Sequence, residues 1–163
     1  MAKNKEEKTN VMRVLEQKKI AYTAHTYPHE EGMAVDGVTV AKSMGFDPAI
    51  VFKTLVARGA SKQYYVFDVP VAENLDLKKA AKAVGEKSIE MIHQKELLPL
   101  TGYVHGGCSP VGMKKLFPTV FHETAENLET MIVSAGKIGY QVELAPHDLA
   151  ALVRAKFADL IAE

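Results

Sequence analysis

The stretch VFKTLVARGASKQYYVFDVPV, Val51 to Val71, contains two apolar runs around a polar centre. VFKTLVA, Val51 to Ala57, and QYYVFDVPV, Gln63 to Val71, are rich in β-branched and aromatic residues, and RGASK joins them by a loop of about five residues. This pattern predicts a β-hairpin. Both runs are apolar at successive positions, so both faces are covered and the hairpin is expected at the centre of a sheet. Lys53 is the anomaly, because a doubly covered strand has no inexpensive place for an ammonium group. Two readings remain open at this point. Lys53 snorkels to the strand edge or pairs with Asp68 across the hairpin, or it stands at the floor of a pocket where its charge binds a carbonyl, phosphate or terminal hydroxyl.

Upstream, residues 1–8 are expected to form a flexible solvated tail, followed by a helix capped by Thr9 with Val11, Met12, Val14 and Leu15 on one face. IAYTAHTY, Ile20 to Tyr27, reads as a strand ended by Pro28, and HEEGMAVDG as an exposed loop. Thr39 to Met44 predicts a short helix stopped by Gly45, and Asp47 with Pro48 starts a further turn. Downstream, NLDLKKAAKAVG predicts a helix between an Asp76 cap and a Gly85 stop, and HQKELLPLTG a short helical turn. Strands are expected at Tyr103 to His105, Thr119 to His122, Thr130 to Val133 and Tyr140 to Leu144. The last segment, Pro146 to Ala162, reads as an amphipathic helix through Leu149, Leu152, Val153, Phe157 and Leu160. These elements describe one α+β domain with a largely antiparallel or mixed sheet.

The chain's 163 residues, 47% hydrophobic, suit a single domain of ordinary size. Lysine plus arginine equals aspartate plus glutamate at 20 each, so no global basic field exists to coat nucleic acid; any RNA contact is local, and DNA binding is not expected. Cys108 is the sole cysteine, which excludes an internal disulfide. The charged start MAKNKEEKTN lacks a signal-peptide apolar region, and no window approaches a membrane span, so a soluble cytoplasmic protein is expected. The six histidines show neither H-E-x-x-H nor paired-cysteine spacing, so neither a metal nor another cofactor is expected.

Two glycine-rich strings remain. In HGGCSPVGMKK, His105 to Lys115, Gly106 and Gly107 can adopt dihedrals closed to other residues and present consecutive N–H groups to an anion or a developing oxyanion, or simply make a turn. Cys108 reads as a small packed side chain, because nothing places the His105 ring beside its thiol. VSAGKIG, with Ser134, Gly136 and Gly139, reads by itself as a hairpin turn.

KTNVMRVLEQKKIAY, VFKTLV, GGCSPVGMKK and VSAGKIGYQVEL, in that order, resemble the YbaK/EbsC family of aminoacyl-tRNA deacylases from about Thr9 to Leu160. The resemblance implies a mixed, barrel-like sheet with peripheral helices over residues 9–163, similar to the editing domain of bacterial-type prolyl-tRNA synthetases but free-standing. It implies hydrolysis in trans of mischarged Cys-tRNA(Pro), and of Cys-tRNA(Cys), with aminoacyl-tRNA as substrate and prolyl-tRNA synthetase as partner. A synthetase pocket separates cysteine from the near-isosteric proline poorly, so a second site must clear the product. By position, Lys53 matches the family's essential lysine, with Thr54 beside it and Tyr27 at the pocket wall; Gly106, Gly107 and Ser109 belong to its glycine loop, and Ser134 and Gly136 to its SAGK turn. The family's proposed mechanism uses the substrate's own thiol as nucleophile and releases a cyclic thiolactone. On this reading Lys53 orients the ester or terminal adenosine, the loop stabilises the oxyanion at ~3 to 4 kcal/mol per well-aimed donor, and proximity supplies much of the rest.

Gln141 stands where several family members carry an acid, which bears on the choice of amino acid more than on the fold. Rival expectations are an editing deacylase that prefers Ala-tRNA(Pro), a non-catalytic module that binds an acylated tRNA end or a synthetase surface, and a generic α+β ligand-binding domain.

Overall fold

The computed structural model describes residues 8–30 and 32–162. Most of the expected tail, residues 1–7, lies outside the described residues. The first helix, α1 (Asn10–Gln17), begins where Thr9 Oγ1 accepts from the Met12 N–H at 3.2 Å, and it buries Val11, Met12 and Leu15. The paired part of the following extended run is β1 (Thr23–Thr26). Helix α2 (Gly37–Ser43) starts earlier than Thr39 because the Asp36 carboxylate accepts from both the Val38 and Thr39 N–H groups. Asp47 and Pro48 open a 3-10 turn, Pro48–Ile50.

The expected hairpin forms from β2 (Phe52–Gly59) and β3 (Tyr64–Pro70). Asp76 caps α3 (Leu77–Val84), and Gly85 closes it at φ 75°. Then come β4 (Ile89–Met91), α4 (Gln94–Thr101), β5 (Thr119–His122), β6 (Met131–Ser134), β7 (Tyr140–Leu144), α5 (Pro146–Val153) and β8 (Lys156–Ala158).

The strands form a five-stranded sheet, β4-β2-β3-β5-β8, and a three-stranded sheet, β1-β7-β6. The larger sheet is mixed, since β3–β5 and β5–β8 are parallel, and β3 is its central strand. The α+β class therefore holds, but the sheet does not close into a barrel; among the described residues the two sheets meet at a parallel bridge, Val51 to Ile132. Between them lies the main core, where Leu15, Phe52, Val66, Phe121, Met131 and Leu149 pack together. A second cluster, including Phe67, Val69, Ala80, Ala81 and Leu160, covers the opposite face of the larger sheet against α3.

Two further expectations change. The helix expected over 146–162 stops at Val153; Arg154 turns left-handed at φ 60°, and Lys156–Ala158 pairs parallel to β5. Leu149 and Val153 pack as helix, whereas Leu160 reaches the α3 cluster only if the chain extends. The apolar spacing suits both conformations, and the exposed edge of β5 decides for strand. Tyr103 to His105 joins neither sheet: Tyr103 is held by its hydroxyl, which donates to the Val111 carbonyl at 2.5 Å.

Candidate active site

Strand β2 is paired on both sides only in part. Toward one side it carries β3 along its length, but toward the other β4 covers only Ala57–Gly59 and the small sheet touches only Val51. Phe52 to Leu55 thus form an open strand edge. A cavity of about 350 Å³ lies along it, bordered by all of Val51 to Leu55. Side chains alternate between faces of a strand, so five consecutive residues can border one cavity only at an edge. The bridge Val51–Ile132 also explains the meeting of distant motifs: two residues further along each strand stand Lys53 and Ser134, and both border the cavity.

The hairpin register sets Lys53 opposite Val69 and Thr54 opposite Asp68. Lys53 and Asp68 therefore leave opposite faces of the sheet, and the cross-hairpin ion pair does not form. The Thr54 hydroxyl takes that place, donating to Asp68 Oδ1 at 2.5 Å. Lys53 is half-buried; desolvation lowers its pKa, and the Glu73 carboxylate acts against that. Asp68 is wholly buried, which pushes its carboxyl up to about 7 despite the Thr54 bond.

The two glycine motifs pack on each other. A Cβ on Gly107 would stand 3.1 Å from the Ile138 backbone nitrogen, and one on Gly106, at φ 89°, 2.7 Å from Ala34 Cβ. The Gly107 N–H donates to the Val104 carbonyl at 2.9 Å, so it closes a turn and is not held out to an anion. Ser109 is fully buried, and its Oγ accepts from the Val111 N–H. Gly136 lies against Tyr103 and Val11 in the core, and its N–H donates to Ser134 Oγ at 3.1 Å.

The cavity thus brings together Tyr27, Lys53, Thr54, Gly106 and Ser134, while Gly107, Ser109 and Gly136 stand outside its lining and support it. The expected cradle of consecutive N–H groups is not formed by Gly106 and Gly107. Cys108 borders the cavity yet belongs to the main core, and burial pushes its thiol up to about 12. It is a poor nucleophile there. Among the described residues no cluster of three metal-ligating side chains exists. Sequence reasoning considered Asp68 only as a partner of Lys53 and missed its pairing with Thr54, although an acid inside YYVFDVPV was a visible signal. Gln141 also borders the cavity, buried, with an Oε1 that has no partner among the described residues.

An α+β domain with a mixed apolar and polar recess on an open strand edge is a ligand-binding architecture. The profile of the aminoacyl-tRNA editing domain family matches residues 29–152. An Enterococcus faecalis protein with the provisional name Cys-tRNA(Pro)/Cys-tRNA(Cys) deacylase EbsC is 45% identical over 161 residues, covering 98% of each chain. A solved structure described provisionally as a trans-editing enzyme for prolyl tRNA synthetase superposes with a TM-score of 0.79 at 26% identity, over 94% of this chain and 95% of that one. A further solved structure, APE2540, shares the fold with a TM-score of 0.82 at 18% identity, over 93% and 99% of the two chains. The chain belongs to the aminoacyl-tRNA editing domain family.

Proposed function

We propose that the protein is a trans-editing deacylase that clears cysteine from mischarged Cys-tRNA(Pro), and from Cys-tRNA(Cys). The observation that carries this reading is a cavity with a half-buried lysine at an open strand edge and a cysteine held as neutral thiol in its wall. Such a site is built to bind and orient an ester, not to attack it with its own thiol. The nucleophile is then the thiol of the substrate cysteine. Its sulfur attacks the ester carbonyl, the carbon–sulfur bond forms, the carbon–oxygen bond to the ribose breaks, and the thiol proton ends on the released ribose hydroxyl. The products are a cyclic thiolactone and free tRNA.

In this reading Lys53 holds the ester oxygen or the terminal adenosine, Tyr27 and Gly106 shape the wall, and Ser134 donates from the facing strand. Enclosing nucleophile and carbonyl in a cavity this size supplies proximity without a protein base. The balanced charge of the chain gives little general attraction for tRNA, so prolyl-tRNA synthetase in the cytoplasm is the partner that delivers the substrate.

Single-turnover deacylation of Cys-tRNA(Pro), beside Ala-tRNA(Pro), Ser-tRNA(Pro) and Pro-tRNA(Pro), tests the proposal. Rapid loss of cysteine alone is expected. Preference for alanine would end the thiol mechanism, and binding without cleavage of any substrate would make the protein a recognition module.

A further inference from the structure

Asp68 is 0% exposed in the otherwise largely apolar strand β3, and among the described residues its Oδ2 has no hydrogen-bond partner. A carboxyl kept only for stability would have both oxygens satisfied, because an unpaired buried acceptor is costly. Its one partner, Thr54, borders the cavity. A hydroxyl carries a single proton, so while Thr54 donates to Asp68 it offers only lone pairs to a ligand. Gln141 Oε1 is a second buried acceptor at the same cavity without a partner among the described residues. The opposite polarity comes from the Lys53 ammonium and from Ser134, whose oxygen already accepts from Gly136 and whose proton remains for a ligand. The cavity therefore holds both donors and acceptors, and an aminoacyl ester is complementary to it: the carbonyl accepts and the α-ammonium donates.

We propose that Asp68, acting through the Thr54 hydroxyl, is a positioning residue that makes this wall of the cavity an acceptor for the substrate's α-amine. The inference rests on the deacylase reading and extends it to a group away from the reacting thiol. Protonation of Asp68 reverses the polarity: the carboxyl then donates to Thr54, and the Thr54 proton turns toward the ligand. The groups facing Asp68 are Thr54 from β2, Phe121 in register on β5, and Cys108 from the glycine loop, whose thiol, pushed up to about 12, stays neutral across the physiological range. Lys53 and His122 leave their strands on the opposite face. With its carboxyl pushed up to about 7, Asp68 changes state within the range where the enzyme can be assayed.

The test is single-turnover cleavage of Cys-tRNA(Pro) and of its N-acetylated form by wild type, Thr54→Val, Thr54→Ser and Asp68→Asn across the pH range, with urea midpoints to establish that each variant is folded. A hydrogen bond to a charged group is worth about 1.5–3 kcal/mol, so Thr54→Val and Asp68→Asn are expected to slow the free-amine substrate by about tenfold or more while changing the acetylated one little. Thr54→Ser restores the rate. The ratio of the free-amine to the acetylated rate, compared between wild type and Asp68→Asn at each pH, cancels the ionisation of the substrates' own thiol and amine, which is the same for both enzymes. In wild type this ratio should rise relative to Asp68→Asn as Asp68 deprotonates. Equal losses on both substrates, or an unchanged ratio profile in Asp68→Asn, would overturn the role of Asp68. Failure of wild type to cleave either substrate would instead remove the deacylase reading and this inference with it.

Discussion

Asp68 on β3 and His122 on β5 are nearly inaccessible polar side chains in the same sheet, at 0% and 3% exposure, yet their surroundings differ in kind. His122 Nδ1 accepts from the Leu160 N–H at 3.1 Å, which ties the C-terminal segment onto the sheet. Asp68 keeps an oxygen without a partner among the described residues, beside the wall of a cavity. Where a polar group serves the fold, the fold uses its bonding capacity; at the cavity end of the hairpin, capacity is left over for a ligand. The two sites should therefore answer mutation differently.

The largest contrast is expected from Lys53→Ala. Removing an electrostatic clamp on a reacting ester typically costs on the order of 10²–10³-fold in rate, while a half-buried lysine on an open edge contributes little to stability. Single-turnover cleavage with a parallel urea melt checks this, and undiminished turnover in the variant would break the comparison. His122→Ala should do the reverse. It leaves the Leu160 N–H without its acceptor, so a stability loss of about 1–3 kcal/mol is expected by denaturant unfolding, with the cleavage rate of the folded protein unchanged.

The pH dependence of stability separates the two groups by sign. Burial lowers the His122 pKa below its ordinary 6.5, so its contribution is complete above pH 6.5 and is lost as pH falls toward the depressed folded value. Asp68 is raised from 3.8 to about 7, so the folded state holds its proton more tightly, and its burial destabilises progressively as pH rises between those values. Urea midpoints of Asp68→Asn should accordingly gain on wild type from acid toward neutral pH, whereas His122→Asn should flatten the acid-side fall. The smallest effect is expected at Cys108. Its thiol is packing against the core, so Cys108→Ala should cost about 1 kcal/mol in unfolding experiments and leave cleavage within a few-fold of wild type. Abolished cleavage there would contradict a substrate-borne nucleophile.

Local chemistry made much of this molecule legible in advance. Thr9, Asp47 and Asp76 announce the starts of their turns and helices because a side-chain oxygen next to free N–H groups needs nothing distant to act. The hairpin was equally plain, as two apolar runs across a polar loop have few other ways to be buried. Lys53 stood out for the same reason: a charge inside such a run calls for an explanation. Where the outcome depended on a remote partner, the pattern was ambiguous. Phe157 and Leu160 suit a helix face as well as a strand, and only the unpaired edge of β5 chose between them. Gly106 and Gly107 read as donors to an anion, but their backbone answers first to Ala34, Val104 and Ile138.

By itself the sequence determined one α+β domain, the central hairpin, the capped helices and the anomalous lysine, because each follows from propensity, periodicity or burial within a short window. Only the tertiary structure decided that the sheet divides in two, that β2 keeps an open edge, and that Lys53, Thr54, Ser134 and Gln141 border one cavity. It also decided that Asp68 faces Thr54 and not Lys53. A shift of one residue in strand register exchanges the faces of every side chain, and that choice is made by packing between distant segments.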